Sequence, residues 1–139
     1  MTVTISTTDA ARLVSLAAAD PCHEVCGLLL GEGARIDAIV ACDNVAADRA
    51  RRFEVDPAVL IATLRAARAG APNVIGCWHS HPSGRAEPSA VDAAMIGRPG
   101  EVWLIVAAGA VTAWIATGES SFQPVALAAA ERVGQSYGN

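Results

Sequence analysis

Two periods of apolar and polar positions run along this chain. Val3 to Ile5 alternates over a few residues and predicts a short strand. Thr7-Thr8-Asp9 then offers N-cap candidates for a helix from about Ala10 to Ala19, whose Leu13, Leu16 and Ala17 share one face, and Asp20-Pro21 stops it. The apolar run Val25 to Leu30 closes at Gly31-Glu32-Gly33 and resumes from Ile36 to Cys42, the pattern of a hairpin with a glycine turn. Phe53-Glu54-Val55 is short and extended. Asp56-Pro57 opens a second helix to about Ala69, with Asp at the N-cap and Pro at the first helical position, and Gly70 ends it. Val74 to Trp78 predicts a strand that leads into His79-Ser80-His81-Pro82; a loop follows through Gly84 to Pro88, and Ser89 to about Ile96 reads as helical. Glu101 to Val106 and Val111 to Ala116 form a second hairpin about Ala108-Gly109-Ala110. Strands and helices mix without regular βαβ alternation, so the expected class is α/β, a curved mixed sheet flanked by helices.

Length and composition narrow the picture further. A chain of 139 residues that is 53% apolar has room for one core, so residues 1–139 are expected to form a single domain, and no repeat or linker divides them. The longest uncharged stretch, Val102 to Gly118, reads as a buried hairpin and not as a membrane span, because Ala108-Gly109-Ala110 interrupts it and Val, Ile, Trp and Thr mark its halves. Ten Arg without any Lys stand against 14 acidic residues, for a net charge of −4. That balance argues against nucleic acid or an anionic membrane surface as partner. Met1 to Ser6 carries no secretory pattern, so a cytoplasmic protein is expected, with Cys22, Cys26, Cys42 and Cys77 reduced.

The chemistry concentrates between Trp78 and Asp92. Histidines at i and i+2 at the end of a strand point to the same face, so His79 and His81 can reach one metal ion. Asp92, on a helix that a short Pro- and Gly-containing loop could fold back, offers a hard oxygen as third ligand. Two His, one carboxylate and an open fourth position is a set that catalytic zinc uses. Ser89 precedes Asp92 by three residues and shares its helical face, either beside the site or as half of a capping box in which Ser and Asp serve the helix end. Capping explains neither the paired histidines nor their place on an apolar strand. Metal-assisted hydrolysis also needs a proton acceptor, and Glu24, at the mouth of the strand Val25 to Leu30, is the candidate, its alternative being a solvated strand end. Arg49, Arg51 and Arg52 could meet an acidic partner or form a solvated charged loop.

Two rival sites use the cysteines. Pro21-Cys22-His23-Glu24-Val25-Cys26 is close to the Pro-Cys-x-x-Cys segment of zinc nucleoside deaminases, but three residues separate the thiols and the preceding His-x-Glu segment is missing. A closed Cys₂His₂ zinc site from Cys22, Cys26, His79 and His81 is the other, against the reading of Cys as a small buried apolar residue.

Glu24, His79-Ser80-His81-Pro82, Ser89 and Asp92 together resemble the JAMM motif of the MPN+ metallopeptidases, a Glu followed at a distance by His-Ser/Thr-His-x₇-Ser-x-x-Asp. Pro82 to Pro88 fill the seven positions and Ala90-Val91 the two before Asp92, while Val25-Cys26-Gly27-Leu28-Leu29-Leu30-Gly31 and Ile75-Gly76-Cys77-Trp78 look like the family's flanking strands. The resemblance covers Met1 to about Thr117. It implies an MPN/JAMM fold, related to the cytidine-deaminase-like architecture, and zinc-dependent hydrolysis of a peptide or isopeptide bond. The substrate it implies is the C-terminal Gly-Gly tail of a ubiquitin-like or sulfur-carrier protein, as in compact prokaryotic members. Under it, His79, His81 and Asp92 hold zinc, Glu24 is general base and acid, and Ser89 helps hold the oxyanion. A glycine tail is expected to lie as an extended strand against an exposed sheet edge. The competing reading is a non-catalytic MPN-like scaffold that binds such a protein or another subunit, although a scaffold has no physical need for these four ligand-type side chains in register.

Overall fold

The structure, a computed structural model, describes residues 1–118 and 120–131. Strand β1 (Thr2–Ser6) buries Val3 and Ile5 and exposes Thr2 and Thr4, as its alternation requires. It runs directly into helix α1 (Thr7–Ala19). The N-cap is Ser6, whose Oγ accepts from the Asp9 N–H at 3.0 Å, and not one of Thr7, Thr8 or Asp9. The helix begins about one turn earlier than the apolar period suggests because Thr7 and Thr8 are exposed and carry no apolar signal. Strands β2 (Cys26–Glu32) and β3 (Arg35–Cys42) form the expected hairpin. Helix α2 (Pro57–Arg68) starts at Asp56, whose carboxylate accepts from the Ala58 N–H at 3.0 Å. Strand β4 (Asn73–Ser80) extends two residues beyond the predicted strand and so includes His79. Helix α3 is short, Ala90–Ala94.

Strands β5 (Val102–Ala107), β6 (Ala110–Gly118) and β7 (Ser121–Ala130) complete the sheet. Its order is β1-β3-β2-β4-β5-β6-β7, closed into a barrel, with parallel pairs β1/β3, β1/β7 and β4/β5 and antiparallel pairs elsewhere. The sheet is mixed, as expected. It is not, however, an open curved sheet, because β7 pairs with both β6 and β1 and brings the two ends together. No strand was predicted there. Pro124 and the alanine run Ala128-Ala129-Ala130 lack strand-forming character, and neighbours on both sides supply it instead.

Burial on both faces of β5 fixes where the site can lie. Val102, Leu104 and Val106 join Val3, Ile5, Leu13, Leu29 and Trp78 in the main core, against which α1 also packs. Trp103 faces the other way, into a smaller cluster with Cys26 and Phe53. A strand covered on both faces reads as a continuous apolar run, which is why all six residues of β5 are buried. Gly76 of β4 lies so close to the β5 backbone that a Cβ there would collide with the Val102 carbonyl oxygen. We expect Gly76→Ala to lower stability by about 2–3 kcal/mol, the cost of overpacking against backbone that cannot yield. The urea midpoint should fall with an unchanged slope; a shift worth less than about 0.5 kcal/mol would show that β4 and β5 can separate freely.

Candidate metal centre

The antiparallel register of β2 and β4 places Cys26 opposite His79. Opposite residues in such a pair face the same side, so continuing two residues further sets Glu24 facing His81. Local hydrogen bonds carry this alignment past the ends of both strands. The Ser80 N–H donates to the Val25 carbonyl at 2.9 Å, the Val25 N–H donates to Ser80 Oγ at 2.9 Å, and the His81 N–H donates to the Val106 carbonyl at 2.9 Å. The Glu24 backbone is tied to the segment that follows β3. Its N–H donates to the Arg49 carbonyl at 2.7 Å, and its carbonyl accepts from Asn44 Nδ2 at 2.8 Å.

Asp92 arrives from the other side of the centre. The loop after His81 folds back with Gly84 at φ 83°, a value that favours glycine, and is pinned where Thr112 Oγ1 donates to the Ala86 carbonyl at 2.9 Å. It delivers Ser89 as the N-cap of α3. The capping box is complete: Ser89 Oγ accepts from the Asp92 N–H at 3.0 Å and Asp92 Oδ2 accepts from the Ser89 N–H at 2.9 Å. That arrangement aims Asp92 Oδ2 at both histidines, 3.1 Å from His79 Nε2 and 3.0 Å from His81 Nε2.

Four predicted site residues, Glu24, His79, His81 and Asp92, thus meet. All are buried, and their ligand atoms lie within 4.8 Å of one another. No cysteine takes part in this cluster; Cys22 is exposed, and Cys26 Sγ lies near the carbonyls of Cys42 and Asp43. Ser89 stands beside the cluster, exposed in the wall of a cleft of about 450 Å³ that Glu24, Arg51, His81, Arg85 and Glu87 also line. Because its Oγ accepts from the helix, its O–H hydrogen remains available to that cleft.

Proton arrangements support a cation here. His81 Nδ1 donates to the Arg85 carbonyl at 2.8 Å, which leaves the Nε2 of a neutral ring as a lone pair. That lone pair faces Asp92 Oδ2, another acceptor, and lies 2.9 Å from His79 Nε2. One proton can satisfy only one edge of this triangle, whereas a central cation satisfies all three corners. Its edges, 2.9 to 3.1 Å, are within a few tenths of an ångström of the separation of about 3.3 Å implied by zinc–ligand bonds near 2 Å in a tetrahedron. Glu24 Oε1 is buried without a hydrogen-bond partner among the described residues and faces the same centre.

Electrostatics separate the roles of the two carboxyl groups. Burial pushes the Glu24 carboxyl up to about 7, with the nearby His81 opposing and Asp92 reinforcing the shift. Burial also acts to raise Asp92, but the adjoining His79 and His81, together with the Ser89 N–H, outweigh it and hold that carboxyl well below its usual range. Burial lowers His79. In His81 burial is outweighed by Asp92 and the Arg85 carbonyl, so its basicity is raised. In the metal-free protein one carboxyl group therefore stays ionised while the other exchanges its proton near neutrality.

Three contributors escaped the sequence reading. Ser80 sits between the histidines and joins β4 to the Glu24 segment, 55 residues away in the chain. Asn44 donates to the Glu24 and Arg52 carbonyls while its Oδ1 accepts from the Ala46 and Glu54 N–H groups. Phe53 stacks on His79. Only the Ser of His-Ser-His had a visible signal, its place in the motif. Strand β4, which carries His79, has β2 on one side and β5 on the other. An extended chain cannot add to β4 itself, and the cleft lined by Glu24 and His81 opens onto the centre.

Comparison with known proteins gives a consistent picture. A family model described as prokaryotic homologs of the JAB domain matches residues 8–123. A desampylase of Haloferax volcanii is 39% identical over 106 residues, covering 74% of this chain and 76% of that protein. The solution structure of a Desulfitobacterium hafniense protein matches with a TM-score of 0.80 at 19% identity, covering 98% of this chain and 97% of the other. A Salinibacter ruber protein matches at 0.63 and 26% identity, with coverage of 96% and 93%. The crystal structure of a JAB1/MPN domain protein from Archaeoglobus fulgidus matches at 0.59 and 20% identity, with coverage of 94% and 100%.

Proposed function

Because the chain belongs to the family of prokaryotic JAB-domain (JAMM/MPN) proteins, we propose that it is a zinc-dependent hydrolase of a peptide or isopeptide bond at the C-terminal tail of a ubiquitin-like or sulfur-carrier protein. The observation that carries this reading is the meeting of Glu24 with His79, His81 and Asp92, two of which, Glu24 and His81, line an open cleft. The 39% identical relative is named a desampylase, which points to removal of a small modifier.

Zinc is the cofactor of this family, and the donor set fits it. His79, His81 and Asp92 would hold the ion. When bound, zinc supplies Lewis acidity, which lowers the pKa of water to about 7 and polarises a carbonyl oxygen. Glu24, whose buried Oε1 has no other partner among the described residues, takes the proton of the attacking water and returns it to the leaving amine. Ser89 donates its O–H to the carbonyl oxygen as negative charge develops there. Asp92 stays ionised, with its Oδ2 oriented by the Ser89 N–H.

Ser89→Ala tests both of its roles. Loss of the N-cap should lower stability by about 1 kcal/mol, and loss of the donor should reduce turnover by about 10²-fold at full zinc loading. A stability loss with unchanged turnover would confine Ser89 to capping.

The substrate reading is tested with a ubiquitin-like protein fused through its Gly-Gly tail to a reporter, against the same fusion with Val-Val at those positions. A cleft entered from loops accepts glycine without side-chain clashes. Mass spectrometry should find cleavage after Gly-Gly, an intact folded domain and little cleavage of the Val-Val fusion. Equal cleavage of both, or efficient cleavage of an unstructured peptide, would identify a broad peptidase instead.

A further inference from the structure

We infer that Phe53 is a positioning residue for metal binding: stacked flat on His79, it holds that imidazole in ligating orientation where no hydrogen bond from Nδ1 does so. The inference rests on the reading of His79 as a metal ligand. A histidine that binds metal through one nitrogen ordinarily donates from the other to a carboxylate, carbonyl or water, which fixes the ring. His81 follows this rule, with Nδ1 on the Arg85 carbonyl at 2.8 Å. His79 does not. Its Nδ1 is buried without a partner among the described residues, and the side chain is fully buried.

Aromatic rings hold it instead. The Phe53 ring lies with its centroid 4.3 Å from that of His79 and its plane only 19° away. Trp103 meets His79 edge-on at 5.7 Å and 90°, and meets Phe53 at 5.8 Å and 72°. The second wall is itself fixed: Trp103 Nε1 donates to Glu101 Oε1 at 3.2 Å, and Phe122 packs against its ring at 5.1 Å. The stack also has a chemical sense. Ligation through Nε2 draws electron density from an imidazole, and the face of Phe53 carries the negative lobe of its quadrupole, so stacking is stronger in the metal-bound state.

Phe53 is delivered by the segment that ties down Glu24. Asn44 holds the Glu54 N–H next to Phe53 and the Glu24 carbonyl, and the Arg49 carbonyl accepts from the Glu24 N–H. One segment after β3 therefore sets both the proton-transfer group and one ligand ring.

Zinc affinity, measured by chelator competition, and the visible absorption of the cobalt-substituted protein test this without any substrate. Phe53→Leu and Phe53→Met remove the flat face and keep apolar bulk; Phe53→Tyr keeps the face. We expect Leu and Met to weaken zinc binding at least about tenfold and alter the cobalt bands, with Tyr within about twofold of the parent. Ile36→Ala, in the main core, supplies the structural control, since it should lower the melting temperature of the metal-free protein without changing zinc affinity. If the Leu variant fails to fold, the Met variant gives the reading. Parent-like affinity in Leu and Met, or equal weakening in Tyr, Leu and Met, would overturn the role of the ring face and leave the proposed function intact. A parent protein without zinc affinity would overturn both.

Discussion

Glu24→Gln is expected to leave zinc bound while reducing hydrolysis by about 10²- to 10⁴-fold, the usual contribution of a general acid and base. The amide keeps the shape and most of the polarity of the carboxyl but cannot carry a proton. Zinc content by elemental analysis and turnover on a cleavable fusion separate the two effects, and near-normal turnover would refute the role. The same substitution has a second signature in the metal-free protein. Folding raises this carboxyl from its ordinary 4.5 to about 7, so the folded state binds its proton more tightly than the unfolded state. Its contribution to stability is then fully present below pH 4.5 and is lost as pH rises through about 7. The difference in unfolding free energy between parent and Glu24→Gln should accordingly shift against the parent as pH rises from 4.5 to about 7. A difference independent of pH would mean that Glu24 is solvated and not held in the centre.

Asp92→Ala is expected to do the opposite with the metal: zinc falls far below one per chain and hydrolysis drops to background. Asp92 Oδ2 is the corner shared by both histidines, so its removal takes away one of three ligands and leaves two buried imidazoles facing each other. It also breaks the Asp92 half of the capping box. The metal-free variant should therefore be less stable than the parent by about 1–3 kcal/mol, the cost of stranded buried polar groups. His79→Ala should lose zinc as well. Unchanged zinc content in both variants would dismiss this centre, and zinc that depends on Cys22 and Cys26 would restore the cysteine site. Glu24→Gln and Asp92→Ala together distinguish a group that moves protons from a group that holds metal, since only the second empties the site.

Much of the centre was legible because its parts are local. His79 and His81 share a face through strand periodicity, and Ser89 and Asp92 make their reciprocal cap over three residues, a pattern the chain displays openly. Glu24 was legible as the candidate proton acceptor from its place at a strand mouth, and the resemblance implied the same role, but nothing near it in the chain points to His81. Phe53 and Asn44 carried no pattern at all. An aromatic in a short extended stretch and an amide in a polar loop have many possible fates, and only the packed structure selects one.

The same division holds for the fold. Hairpin turns, the Asp56 cap and Pro57, and the two-faced burial of β5 follow from rules that act within a few residues, so the chain alone settles them. Closure of the sheet does not. It depends on β7, whose Ala-rich sequence has little strand preference of its own and becomes a strand because β6 and β1 both leave backbone groups that must be paired. The register that sets Glu24 against His81 is likewise a contact between segments 55 residues apart, fixed through Ser80 and Val25. Chemistry-bearing residue types are written into local spacing, whereas their convergence is decided by which strands can bury each other's faces and satisfy each other's hydrogen bonds.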